Sequence, residues 1–183
     1  MENSKKVFVV SSTPRKDGNS DVLCDAFIKG AAEAGHTVDR VNLRDIDLKF
    51  CIGCFACQKS KEHLCVLKDG VNELLPKMQE ADVLVFATPV YFYDMAGQLK
   101  TFIDRLNALF PRKNKFTDIY LLAAAADTAN TAMDGTIKGV TGFVECFEGT
   151  NLKAVVSALG VTGIGDVTKT AYMDEAYNLG KGI

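Results

Sequence analysis

Val83-Leu84-Val85-Phe86-Ala87 is an unbroken apolar run. Successive strand side chains point to opposite faces, so a strand with no polar residue has both faces covered. Ile119 to Ala126 and Leu152 to Leu159 also lack clean alternation, and Val7-Phe8-Val9-Val10 is a fourth buried run. Between the runs the apolar spacing becomes helical. Val22, Leu23, Ala26, Phe27, Ala31 and Ala34 mark one helix, with Ser20 as its N-cap and Gly35 as its stop. Gly70 to Ala81 is a second, weakened or kinked by Pro76, and Met95 to Phe110 a third. Met133, Ile137, Val140, Val144 and Phe147 mark a fourth, and Thr170 to Gly180 a fifth. Thr37 to Leu43 alternates polar with apolar and supplies the remaining strand. Strands alternating with helices predict an α/β fold, a doubly wound parallel sheet with helices on both faces. At 183 residues the expectation is one domain over 1–183, with a cysteine-rich loop at about 44–69.

Ligands of such sheets bind beyond the carboxyl ends of the strands, near the reversal of strand order. The loop after the first strand, Ser12-Thr13-Pro14-Arg15-Lys16-Asp17-Gly18-Asn19-Ser20, runs into a helix start. Free N–H groups, hydroxyls and one arginine there make an anion pocket. Neither Gly-x-x-x-x-Gly-Lys-Ser/Thr nor a strand-linked Gly-x-Gly-x-x-Gly is present, so the donors suit a terminal monophosphate. The plainer reading is a solvated turn. Thr88-Pro89-Val90-Tyr91-Phe92-Tyr93 puts three aromatics at the mouth of the central strand, where a flat ring system would account for them. Packing on Phe102 is the alternative. Ala123 to Ala126 ends a neighbouring strand in small side chains that let the backbone approach a ring edge.

A net charge of −2 gives no case for nucleic acid, and no apolar run is long enough for a membrane span. The opening residues lack a signal-peptide pattern, so a cytoplasmic setting is expected. In a reducing compartment, clustered cysteines suggest metal or redox chemistry. Cys51, Cys54, Cys57 and Cys65 have the spacing Cys-x2-Cys-x2-Cys-x7-Cys. Such a compact run suits an iron–sulfur cluster better than zinc, which favours two separated knuckles. Structural thiols or a labile disulfide remain open. Cys24 and Cys146 lie in helical patterns and read as core or surface thiols.

Thr13 to Ser20 resembles the Ser-Pro-Arg-x-x-Gly-Asn-Thr loop of the flavodoxin-like NAD(P)H-dependent FMN reductases. Pro89 to Phe92, with Gly97 to Arg105, is similar to their second FMN loop and its helix. The Cys54-x-x-Cys57 segment and the Glu175 to Lys181 tail also match, and the four cysteines resemble the iron–sulfur flavoprotein branch. The resemblance implies strand order 2-1-3-4-5 and bound FMN. Thr13, Arg15, Asn19 and Ser20 would hold the phosphate. Pro89, Val90, Tyr91 and Phe92, with Ala125 and Ala126, would hold the isoalloxazine. It further implies NAD(P)H as donor, a small acceptor such as a quinone or flavin, a homodimer or larger homo-oligomer, and a [4Fe–4S] cluster on Cys51, Cys54, Cys57 and Cys65. An electron carrier with FMN and that cluster, serving ferredoxin-like partners, is the alternative function. The chain departs from the family at Ser12, where glycine is usual and where a Cβ could crowd the phosphate.

Overall fold

A computed structural model describes residues 4–183. β1 (Lys6–Ser11), β2 (Thr37–Asn42), β3 (Val83–Tyr91), β5 (Asp118–Ala124) and β6 (Asn151–Ala158) form a parallel sheet in the order β2-β1-β3-β5-β6. β4 (Asp94–Met95) is a short antiparallel addition to the end of β3. Leaving out β4, this is the order 2-1-3-4-5. The reversal falls at β1, which pairs with β2 on one side and β3 on the other.

Alternate residues of the central strands feed two apolar layers. Phe8, Val10, Leu84, Phe86, Ile119 and Leu121 pack towards α3 (Val71–Glu80), α4 (Gly97–Arg105) and α5 (Asp134–Glu145), while α2 (Ala56–Lys59) is a single turn in the cysteine loop. Val7, Val9, Val83, Val85 and Leu122 pack towards α1 (Asn19–Glu33) and α6 (Tyr172–Lys181). β3 is buried on both faces because both layers meet it. The alternating strand β2 is an edge strand with one wetter face. α1 and α6 cross at glycines: a Cβ on Gly30 would collide with the Tyr177 carbonyl, and one on Gly180 with the Phe27 carbonyl.

Some boundaries differ from expectation. α1 starts at Asn19 with Gly18 before it, so Ser20 lies inside the first turn instead of capping it. Gly35 does end the helix, at φ +91. Pro76 is accommodated within α3 on its exposed side. The apolar stretch from Met95 to Phe110 divides into the end of β4, α4 and a 3-10 turn at Leu106–Leu109. Among the described residues, no helix is long and apolar enough to cross a membrane.

Candidate functional site

The loops leaving β1, β3 and β5 converge at the carboxyl end of the sheet. They enclose a cavity of about 190 Å³ lined by Thr13, Arg15, Asn19, Ser20, Pro89, Val90, Tyr91, Ala124, Ala126, Val161 and Thr162. Eight of the ten residues expected to bind cofactor are in that lining: Thr13, Arg15, Asn19, Ser20, Pro89, Val90, Tyr91 and Ala126.

Each has a local reason for its place. Thr13 is buried, and its Oγ1 accepts the Arg15 N–H at 3.3 Å, tightening the turn. Arg15 reaches across to the Thr162 carbonyl at 3.3 Å. Asn19 donates to the Gly163 carbonyl at 3.0 Å and accepts the Val167 N–H at 3.1 Å. Its amide therefore ties α1 to the 162–167 segment, which makes Asn19 a brace of the cavity before it is a donor to a ligand. Ser20 is different. Its Oγ is buried with no hydrogen-bond partner among the described residues, beside a helix start that none of their side chains caps. An unpaired buried hydroxyl costs roughly 1–3 kcal/mol, and an anion oxygen would satisfy it. The residues present thus fit a phosphate terminus. Ser12 is absent from the lining, and its Oγ donates to the buried Ala87 carbonyl at 2.9 Å.

The other two expected binders lie elsewhere. Ala125 is consumed by the sheet: its N–H donates to the Ala158 carbonyl at 2.8 Å, and its carbonyl accepts from Val161 at 3.0 Å. Phe92 is 101% exposed, so it neither lines the cavity nor packs on the buried Phe102. It occupies, with Tyr93, the two central positions of the β3–β4 turn, at φ +50 and +63. Turns of that geometry favour Asn-Gly, and each non-glycine residue there costs about 1–3 kcal/mol. Tyr93 secures the turn by donating its hydroxyl to Asp127 at 2.8 Å; the Ala129 N–H first, and this bond second, hold the Asp127 carboxyl below its ordinary pKa. Gly135 of α5 admits the Tyr93 carbonyl where a Cβ would collide. The strained turn is thus fixed beside the mouth of the cavity, with an unpartnered ring at its tip.

The cysteine loop is pinned at its neck. Arg105 of α4 and Asp69 form an ion pair with both side chains 0% exposed. Arg105 also donates to the Lys49 carbonyl at 2.8 Å, while Asp69 accepts the Lys49 and Val71 N–H groups at 3.0 and 3.2 Å. Burial alone would raise the Asp69 pKa. Hydrogen bonds from Arg105, Lys49 and Val71 outweigh it and hold the carboxyl below the usual aspartate range. Within the loop, Cys57 is buried, Cys65 partly so, and Cys51 and Cys54 are exposed. Burial first, then the neighbouring Cys65, Cys54 and Cys51, pushes the Cys57 thiol up. Among the described residues, no three His, Cys, Asp or Glu side chains converge closely enough to hold a metal ion. Cys24 is a core thiol, raised to about 12 by burial, and Cys146 is a surface one.

A larger cavity of about 490 Å³ opens between α4, α5 and the cysteine loop, where Cys51, Phe110 and Cys146 share its walls. It lies on the helical layer, away from the strand ends, and gathers none of the phosphate-loop residues.

Residues 5–140 match the family model for NADPH-dependent FMN reductase, a span that takes in the loops after β1, β3 and β5 and ends inside α5. The chain belongs to the NADPH-dependent FMN reductase family. In kind it is a flavin oxidoreductase. This family member is 34% identical over 141 residues to an iron-sulfur flavoprotein of Methanocaldococcus jannaschii, covering 75% of this chain and 70% of that one. An iron-sulfur flavoprotein of Archaeoglobus fulgidus is 35% identical over 101 residues, 55% of this chain; the match spans only 45% of the relative's length. The fold of an NAD(P)H:quinone oxidoreductase from Methanothermobacter marburgensis superimposes with a TM-score of 0.75 at 19% identity, over 98% of this chain and 97% of that one.

Proposed function

We propose that residues 1–183 are a single flavodoxin-like domain that binds FMN in the strand-end cavity, accepts electrons from NAD(P)H and delivers them to a small acceptor such as a quinone or a flavin. The observation that carries this reading is the buried, unpartnered Ser20 Oγ inside a cavity built from all three strand-end loops. Ser20, Thr13, Arg15 and the first N–H groups of α1 are the phosphate donors. Pro89, Val90 and Tyr91 form a wall, and Ala124 and Ala126 leave room for a flat ring. FMN, when bound, supplies the redox chemistry; the protein positions it, tunes it and limits side reactions. No side-chain acid or base is required of the chain. Phe92 at the tip of the strained turn offers a bare aromatic face to a planar donor or acceptor.

Several finer points belong to the same reading. Phe50, Ile52, Phe55 and Val66 leave the cysteine loop with exposed apolar side chains, which supports a homodimer or larger homo-oligomer. Six free cysteines suit a cytoplasmic setting. A second reading is an electron carrier in which Cys51, Cys54, Cys57 and Cys65 hold a [4Fe–4S] cluster. The cysteine spacing and the names of the archaeal relatives favour it.

Anaerobic purification, a visible spectrum, an iron assay and addition of NADH or NADPH separate these readings. The reductase gives a flavin spectrum that either nicotinamide bleaches. A flavin that neither nicotinamide bleaches, reduced instead by ferredoxin in a protein containing iron, supports the carrier. A colourless protein that takes up no FMN overturns both.

A further inference from the structure

Asp21 follows the cavity residues Asn19 and Ser20 in the first turn of α1, yet it is absent from the cavity lining and only 4% exposed. Its carboxylate is the meeting point of four segments. Ser11, at the end of β1, donates its Oγ at 2.8 Å. Asp17, in the loop, donates its backbone N–H at 3.2 Å. Arg40 of β2 pairs with it directly, and Arg44, in the turn after β2, places Nη1 3.1 Å away.

Two of these contacts bear on the anion loop. Asp17 sits at φ +58, a left-handed conformation that a side chain disfavours, and its N–H is fixed by Asp21. That turn directs Gly18, Asn19 and Ser20 to the edge of the cavity. The two guanidiniums hold the carboxylate in place and offset its charge; both are shared, Arg40 with Asp25 and Arg44 with Asp45, whose carboxylate lies 3.9 Å from Nε. A lone carboxylate beside an anion site would repel the anion, and this pairing removes that repulsion. Complementing the helix dipole alone would be served by an outward-facing acid. It would not account for a buried carboxylate reaching back to the loop and across to β2.

We propose that Asp21 is a positioning residue for the anion loop. By fixing Asp17 in its left-handed turn, with its own charge offset by Arg40 and Arg44, it gives the site its preference for a phosphorylated flavin over the same flavin without phosphate. The proposal rests on the FMN reading above. Asp21 touches no part of the cofactor and acts through the Asp17 N–H and the two guanidiniums.

The test is a fluorescence titration of apoprotein with FMN and, separately, with riboflavin. The proteins are the wild type, Asp21→Asn, Asp21→Asn with Asp17→Gly, and Arg44→Met. Losing the charged network weakens FMN about tenfold in Asp21→Asn and leaves riboflavin unchanged. Asp17→Gly restores part of the loss, since glycine takes the left-handed turn without an anchor. Arg44→Met, at a partly exposed position, shows a selective loss of FMN even if Asp21→Asn does not fold. An equal fall for both flavins with no rescue by Asp17→Gly marks a merely structural role and overturns the proposal, as does unchanged FMN affinity in Asp21→Asn and Arg44→Met. If the wild type itself binds FMN no more tightly than riboflavin, the phosphate reading of the loop falls first and takes the proposal with it.

Discussion

Ser20 and Asn19 are neighbours with different duties. The Ser20 hydroxyl is free to accept a ligand, whereas the Asn19 amide is engaged with Gly163 and Val167. Ser20→Ala is therefore expected to raise the Kd for FMN about tenfold, a loss appropriate to a hydrogen bond to a charged group, while leaving the apoprotein at least as stable to heat because the unpaired buried hydroxyl is gone. Asn19→Ala is expected to lower the melting temperature as well, because it frees the 162–167 segment. Titration of the two apoproteins with FMN, beside their thermal melts, checks both. Residue types and order made the anion loop legible in the sequence, but not this division of labour, since the partners of Asn19 lie 144 and 148 positions away. The buried acids also set a pH dependence. Asp21 and Asp69 have folded pKa values held below the ordinary aspartate value by their arginines and hydrogen bonds, against the opposing effect of burial. Their stabilisation is complete above the unfolded value of about 3.9 and is lost as pH falls through the lower folded values. Stability against urea should thus be insensitive to these groups at neutral pH and drop below about pH 4. In Asp69→Asn the drop should be smaller, from a lower starting stability; an unchanged acid profile would contradict the assignment.

At the scale of elements, packing of glycines and the Arg105 clamp make the sharpest claims. Gly180→Ala forces a methyl group into the Phe27 carbonyl where α1 and α6 cross, and overpacking of this kind costs about 1–3 kcal/mol. A urea melt with an unchanged slope and an earlier midpoint is the expected result. Arg105→Met leaves Asp69 buried without its partner, at an expected cost of about 3–5 kcal/mol. It should also open the cysteine loop to trypsin, whose target lysines Lys49, Lys59, Lys61 and Lys68 lie in or beside that loop. The elements themselves were readable because buried strands and one-sided helices leave periodic apolar patterns. Two features leave no such trace. Phe92 and Tyr93 form a tight turn without any turn residue, and only the strain in the backbone exposes it. Arg105 and Asp69 meet across 36 positions, and a single buried ion pair has no period.

At the scale of the whole molecule, the strand order brings β1, β3 and β5 side by side, so their carboxyl-end loops must share one site. The order reversal at β1 places the anion loop next to the aromatic turn, and β5 adds its small alanines on the other side of β3. The larger cavity between α4 and α5 competes with this site only in size, since it lacks the loop donors. The most direct test of the account is the phosphorus NMR spectrum of FMN bound to the wild type, to Ser20→Ala and to Lys100→Ala, the last lining the larger cavity. The account predicts a resonance displaced from that of free FMN, moved again by Ser20→Ala and untouched by Lys100→Ala. A resonance at the position of free FMN, or one that responds to Lys100→Ala and not to Ser20→Ala, would contradict it.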